Sequence, residues 1–235
     1  MDFDVRTAIL GLAVGNLVFG LILLLFQFDE EYSQRIPYLA TGKLLQGAGW
    51  LLLSGRGTLF PDWLSFTIGN IVLIVGTAYD SWAMYWISDR PVSRTLQVTS
   101  AVVVALLCIG ATPLPASARV AVTSFVVMVF FALGGYAMLS GPSGNSLLRR
   151  YIGWSMWLMV GVISVRALWA ALAPEQFTVF APNTIQLIMF ATLYYLMLTN
   201  GFGMLLLAKQ IADREVRASR DRLRSYFELP LAGIA

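Results

Sequence analysis

The stretch TIQLIMFATLYYLMLTNGFGMLLLAKQIADREVRASRDRLRS, residues 184–225, decides the fold. Its first part, 184–207, carries no Asp, Glu, Lys or Arg and is long enough for one membrane-spanning helix, which needs roughly 20 apolar residues. From residue 208 the chain becomes highly charged, yet neither Gly nor Pro interrupts it as far as residue 225. We therefore predict a single helix that crosses a membrane and continues without a break into water.

The composition of the whole chain agrees with a membrane protein. Of 235 residues, 58% are hydrophobic and 12% are charged, and the mean hydropathy is +0.73. A soluble globular chain has about 25% charged residues. The chain has no histidine and a single cysteine, Cys108. These counts exclude an intrachain disulfide, and they leave no His or Cys cluster for haem, zinc or copper.

Seven stretches are apolar enough to be membrane-spanning helices, and short loops between them favour antiparallel neighbours. The fold class predicted from them is an all-α polytopic membrane protein of about seven transmembrane helices with a cytoplasmic helical extension. The weakest stretch is the second, which Lys43 and Gln46 interrupt. The predicted spans are 7–26, 38–53, 64–87, 96–109, 120–139, 147–172 and 184–207.

The distribution of Lys and Arg predicts the orientation, because cytoplasmic loops are enriched in both. With the C-terminus in the cytoplasm, eleven of these residues lie inside and three outside. An odd number of spans then puts the N-terminus in the periplasm, and the expected location is a bacterial inner membrane. The net charge of +3 is explained by this asymmetry, so no nucleic-acid partner is expected. The outside residues are Arg6, Arg56 and Arg119.

The charged extension 208–225 has a pattern typical of a coiled-coil seam. Apolar or small residues recur at spacings of four, three, four and three. Such a pattern predicts a homodimer paired through this helix, and a solvated helix with one apolar stripe is the alternative. The seam residues are Ala212, Val216, Ser219, Leu223 and Tyr226.

The last residues, SYFELPLAGIA at 225–235, resemble the opening of a PAS domain. The stretches LAVGNL (12–17), GKLLQGAGW (42–50) and PDWLSFTIGN (61–70) are similar to the multi-span input regions of bacterial diguanylate cyclases of the GGDEF type and of sensor histidine kinases. This resemblance implies a transmembrane sensor domain over 1–207, a signalling helix over 208–225 and the start of a truncated PAS domain over 226–235.

The function implied by the resemblance is a sensory input module without catalysis of its own. A periplasmic or intramembrane signal, carried by a small lipophilic or anionic ligand, would pass through the seventh helix to a cytoplasmic output domain. The GGDEF signature and the kinase motifs are missing from these residues, so no catalytic residue, cofactor or metal ligand is assigned. A small transporter or channel is the alternative function, and membrane lipids are expected partners in either case.

Charged residues inside predicted spans are the first candidates for a functional site, because they are costly in a bilayer. Lys43 and Asp80 lie at similar depths on neighbouring helices, which predicts an intramembrane ion pair. The pair is either switchable or a structural pin, and Lys43 reaching the interface is a further alternative. Arg166, in the outer half of the sixth span with Trp169, fits an anionic group. Its nearest acidic residues are Glu175 and Asp62, and the alternative is a buried structural arginine bonded to backbone carbonyls or to Glu175.

Aromatic residues cluster on two predicted spans at helical spacing. Such stripes predict either the walls of a lipophilic ligand pocket or an aromatic belt at the membrane interface. Both readings stay open from sequence alone. The residues are Tyr79, Trp82 and Trp86 on the third span, and Trp154 and Trp157 on the sixth.

Overall fold

The computed structural model describes residues 4–29, 36–140, 146–172 and 184–228. Within these ranges the chain forms helices and no β-strand, which confirms the all-α fold class. A helix lies at each of the seven predicted stretches. The helices are α1 (Val5–Asp29), α2 (Ile36–Ser54), a π-helical segment (Trp63–Ile68) leading into α3 (Gly69–Ile87), α4 (Arg94–Gly110), α5 (Ala116–Ser140), α6 (Leu147–Leu172) and α7 (Thr184–Glu228).

Five of these helical segments are long and apolar enough to cross a membrane by themselves. They are 5–25 in α1, 63–87 in the π-helical segment and α3, 116–140 in α5, 147–172 in α6 and 184–207 in α7. The chain is thus a polytopic membrane protein by the length and composition of its helices. The 17 residues of α4 span about 25 Å, short of the roughly 30 Å of hydrocarbon. Seven spans therefore remain a prediction where α2 and α4 are concerned.

Six helices form a closed ring. Each packs on the next in the order α1, α2, α3, α5, α6, α7, and α7 returns to α1. Helix α4 packs on the outside of this ring against α3 and α5. The outward faces carry large exposed hydrophobic residues such as Leu21, Leu106, Phe125, Leu168 and Phe202. A surface of this kind suits lipid rather than water.

The two halves of the ring differ in packing. The half that holds the end of α3 and the start of α6 is filled by one hydrophobic cluster, to which all six ring helices contribute. Ile152, Met156 and Met204 are among its buried residues. We call this the packed half. The opposite half holds the starts of α1, α3, α5 and α7 and the ends of α2 and α6, and it contains a cavity.

Glycines set the close approach of α2 and α3. A Cβ on Gly76 would lie 2.7 Å from the backbone nitrogen of Gln46 and 2.8 Å from the carbonyl oxygen of Gly42. A Cβ on Gly49 would lie 2.7 Å from the backbone nitrogen of Leu73. Backbone thus meets backbone along this interface, as it does between membrane helices with small residues in contact.

A cavity with a basic rim

The cavity lies inside the ring, and every ring helix lines it. The volume that the centres of water molecules can occupy inside it is about 120 Å³. This volume is enough for several waters or for one narrow ligand. The wall of the cavity is mainly apolar, with large side chains on four α-helices and on the π-helical segment. These large residues are Trp50 on α2, Phe66 before α3, Phe131 on α5, Met159 on α6, and Met189 and Phe190 on α7.

Two arginines, Arg56 and Arg166, line the outer part of the cavity. The Arg166 guanidinium donates a hydrogen bond to Ser124 Oγ, 3.0 Å away on α5. Arg56 Nε lies 3.2 Å from Asp62 Oδ1, and the Asp62 side chain is 73% exposed. Among the described residues that line the cavity, none is Asp or Glu. The rim therefore carries two guanidinium groups, of which that of Arg56 is paired with Asp62.

The π-helical segment contributes an aromatic ring that two arginines contact near this rim. Its wider turn carries Phe66, which is buried and lines the cavity. The Arg56 and Arg119 guanidinium carbons lie 5.3 and 4.5 Å from the centroid of the Phe66 ring. Both distances are typical of cation–π contacts. Single turns of π-helix are frequent at functional sites, and here the turn brings two cations to one aromatic ring.

The predicted Lys43–Asp80 pair lies directly below the cavity. Lys43 Nζ is 2.5 Å from Asp80 Oδ2, and both residues are buried. Gln46 donates a second hydrogen bond to the same oxygen, 2.7 Å away. Gln46 also lines the cavity. The floor of the cavity and the buried ion pair thus share one side chain.

Of the predicted ligand-binding residues, Arg166 lines the cavity and the aromatic stripes do not. Tyr79 and Trp86 both stack on Tyr38, at centroid distances of 6.1 and 5.7 Å. Trp82 is buried beside Tyr79 in the cluster between α3, α4 and α5. Their side chains pack between helices. The cavity therefore does not support the prediction that the aromatic residues of the third span line a ligand pocket.

The aromatic residues of α6 face outward. Trp154 is 63% exposed, and Trp157 and Trp169 are also exposed. Trp157 packs over Gly135 of α5 on one side. Their position on the lipid-facing surface agrees better with membrane anchoring than with lining a pocket.

The two acidic residues expected nearest Arg166 have different outcomes. Asp62 contacts Arg56 instead, because the six-residue separation and the turn before α3 bring these two together. Glu175 lies outside the described residues. The hydroxyl of Ser124, on a different helix, is the contact that the sequence reasoning missed.

The extension of α7 is helical as far as Glu228, so the helix runs unbroken for 45 residues. Val216, Ser219 and Leu223 of the predicted seam have exposed side chains. Ala212 and Tyr226 lie on the same helix, but their side chains are outside the described part of the structure. Of the predicted PAS start, residues 229–235 are likewise outside it. The homodimer and the domain boundaries remain predictions.

No protein-family model matches the chain, and no curated protein matches it. The lining combines a mainly apolar and aromatic wall with hydrogen-bonding groups on several helices, among them Arg166, Ser124, Asn70, Thr77 and Gln46. Small-molecule sites usually have such a mainly apolar wall with a few polar groups.

Several cavity residues were not identified as site candidates from the sequence. Arg56 was counted only for topology, and Gln46 only as an interruption of the second span. Trp50, Phe66 and Phe190 are isolated aromatics on three elements. They come together only because the six helices close into a ring. The sequence of a single helix does not show which other helices it packs against.

Proposed function

We propose that this chain is a membrane-embedded sensory input domain. A lipophilic signal molecule occupies the cavity, and α7 carries the resulting change to a cytoplasmic output domain. One observation carries this proposal. Met189, Phe190 and Leu193 of α7 line the cavity, and the same helix continues unbroken to Glu228, 21 residues beyond the predicted span.

The packing of the ring favours a receptor over a channel. A channel needs a polar path through both halves, whereas the packed half is filled by buried side chains such as Met84, Met156 and Met204. A transporter that alternates between two open states is the competing function. The cavity of a transporter would open to each side of the membrane in turn. Transport would not require a long helix in the cytoplasm.

The orientation and assembly are part of the same proposal. With Lys and Arg enriched on the cytoplasmic side, the cavity opens to the periplasmic half of a bacterial inner membrane. Two chains pair through Val216 and Leu223, whose exposed side chains would be covered in a parallel coiled coil. The similarity of 12–17, 42–50 and 61–70 to input regions of cyclases and kinases, together with the PAS-like end, supports an output of that class.

The test fills part of the cavity with a large side chain in place of a ligand. Leu193→Trp fills part of the cavity from α7, and Leu198→Trp, on a lipid-exposed position of the same helix, is the matched control. Spin labels at Ser219→Cys, in a Cys108→Ala background reconstituted into nanodiscs, report the distance between paired α7 helices. We expect Leu193→Trp to shift this distance distribution and Leu198→Trp to leave it unchanged.

Two results would contradict the proposal. The first is the absence of any distance between labels, which would mean that the helices do not pair. The second is an equal shift with both tryptophans, which would mean that the cavity has no special connection with the extension.

A further inference from the structure

We propose that the cavity binds an uncharged lipophilic molecule that carries a hydroxyl group, and that this hydroxyl donates a hydrogen bond to the side chain of Asn70. This proposal rests on the proposed function, because it names the ligand class of the same cavity. It is carried by the hydrogen-bond acceptors of the cavity wall, by their shared depth and by the partners that the arginines of the rim already have.

Asn70 of α3 offers a hydrogen-bond acceptor at the cavity wall. Its side chain lines the cavity and donates a hydrogen bond to the Phe66 carbonyl oxygen, 2.7 Å away. A carbonyl oxygen only accepts hydrogen bonds, so the amide nitrogen must lie on this side and Asn70 Oδ1 points in another direction. No described residue donates a hydrogen bond to Oδ1. This oxygen is therefore left for a ligand or for water.

Thr123 of α5 adds a second acceptor at the same depth. The Arg119 guanidinium of α5 lies over the Phe66 ring, and α3 and α5 both begin in this half of the ring. Asn70 and Thr123 each come four residues after this contact, about 6 Å further along their helices. The Thr123 hydroxyl lines the cavity and donates its hydrogen to the Arg119 carbonyl oxygen, 2.9 Å away. Its oxygen can therefore only accept a hydrogen bond from a ligand.

The deeper polar groups of the cavity also leave oxygen atoms as acceptors. The Thr77 hydroxyl donates to the Leu73 carbonyl oxygen, 3.0 Å away, and the Gln46 amide nitrogen donates to Asp80. No described residue donates a hydrogen bond to Gln46 Oε1. Acceptors are thus offered along α2 and α3 as well as on α5, and they favour a ligand that brings a hydrogen-bond donor.

The charges around the cavity favour a ligand without a charge of its own. Arg56 is paired with Asp62, and Arg166 donates to Ser124, so neither guanidinium requires an anionic ligand to balance it. The described lining contains no Asp or Glu, so a cation would find no counter-charge there. Burying a charge without a partner costs far more free energy than burying a hydroxyl that is hydrogen-bonded.

The rest of the wall fits a small apolar body. Trp50 of α2 and Phe190 of α7 both line the cavity, with their ring centroids 6.2 Å apart. Met159 and Leu193 line it as well. The volume of about 120 Å³ that water centres can occupy suits one ring with a short chain and is too small for a two-chain phospholipid. A substituted phenol combines such a body with an uncharged hydroxyl donor.

The test compares three probes that share a para-pentylphenyl body: the phenol, its methyl ether and the corresponding benzoate. The ether lacks the donor, and the benzoate carries a negative charge. Binding is measured by calorimetry with the full chain in phosphatidylcholine nanodiscs, after subtraction of the heat measured with empty nanodiscs. We expect the phenol to bind most tightly. Asn70→Leu should weaken phenol binding about three- to tenfold, as loss of one hydrogen bond does, and should change ether binding by less than about twofold.

Matched variants separate binding from folding. Asn16 of α1 also donates its amide to the carbonyl oxygen four residues earlier, that of Leu12, at 2.8 Å, but it does not line the cavity. Asn16→Leu should therefore leave phenol affinity unchanged. Thr123→Val keeps the shape of the side chain and removes the second acceptor, so it should weaken phenol binding and spare the ether. It carries the test if Asn70→Leu does not fold, which melting temperatures in the same nanodiscs show.

Three results would overturn the proposal. Equal affinity for the phenol and the ether would mean that no donor is recognised, and tighter binding of the benzoate would mean that the ligand is an anion. Phenol binding unchanged by both Asn70→Leu and Thr123→Val would place the hydroxyl elsewhere. None of these results depends on the spin-label distances, which test the connection between the cavity and α7 without any ligand.

Discussion

At the scale of single residues, the buried Lys43–Asp80 pair shows what sequence alone predicts well. Two opposite charges at matching depth on adjacent helices have few alternatives in a low-dielectric interior, and the structure brings them within 2.5 Å. The part played by Gln46 was not predictable in the same way. An amide has no charge that requires a partner, and its contact with Asp80 depends on how closely α2 approaches α3.

We expect Lys43→Met to lower the free energy of unfolding by about 3–5 kcal/mol, because it leaves the Asp80 carboxylate buried without its partner charge. The double variant Lys43→Met/Asp80→Asn removes both charges and should recover most of this loss. Unfolding of each variant by titration with sodium dodecyl sulfate in mixed micelles measures the difference.

The single variant Asp80→Asn completes a double-mutant cycle. If the two single losses simply add in the double variant, the residues are not coupled and the ion pair is not a stabilising unit.

Arg166 marks the limit of prediction at this scale. Its charge within an apolar span identified it as a candidate, and the structure places it on the cavity wall. Its hydrogen-bond acceptor was not predictable, because Ser124 lies 42 positions away on another helix, α5. Serines in apolar spans are common, and no feature of the sequence distinguishes this one.

At the scale of helices, the contact between α2 and α3 determines where the cavity floor lies. Gly42, Gly49 and Gly76 allow the two backbones to approach, and this approach brings Gln46 to Asp80. A larger residue at any of the three would separate the helices. The glycines of 42–50 were noted in the sequence only as part of a resemblance, since small residues are frequent in any membrane span.

We expect Gly76→Val to destabilise the protein and to disturb the cavity floor, because its Cβ would meet backbone atoms of Gln46 and Gly42 at less than 3 Å. The control is Gly161→Ala in α6, where nothing lies within 4 Å of the added Cβ. Alanine is the better helix former by about 1 kcal/mol, so the control should be neutral or slightly stabilising. Melting temperatures in nanodiscs compare the two.

A Gly76→Val variant as stable as the parent chain would contradict the close approach of these helices.

At the scale of the whole molecule, the length of the apolar stretches predicted the helices and left their arrangement open. The spans 147–172 and 184–207 coincide with helical segments of the structure. The position of α4 outside the ring was not predictable, since α4 lies in the middle of the sequence between two ring helices. Which helices meet depends on the shapes of many side chains at once.

The predicted orientation is tested at two exposed leucines. Leu59, in the connection between α2 and α3, is 79% exposed, and Leu147, at the start of α6, is 84% exposed. Each is replaced by cysteine in a Cys108→Ala background. A membrane-impermeant maleimide should label Leu59→Cys in cells with a permeabilised outer membrane, and Leu147→Cys only after the inner membrane is opened.

The reverse labelling pattern would mean that the protein has the opposite orientation and that the cavity opens toward the cytoplasm. It would also place the helical extension in the periplasm, where no PAS-type output domain of the expected class could receive the signal.

The length of α7 gives it the properties of a lever. Phe19 of α1 and Ile152 of α6 pack against it at Gly201 and Gly203, and under the proposed function these contacts would be the fulcrum. Leu193 lies about 12 Å along the helix on one side of Gly201, and Leu223 lies about 33 Å on the other. A rigid rod pivoting there would turn a movement of about 1 Å at the cavity into nearly 3 Å at the tip. Under the proposed function, a small change in the cavity would thus become a larger displacement at the far end of α7.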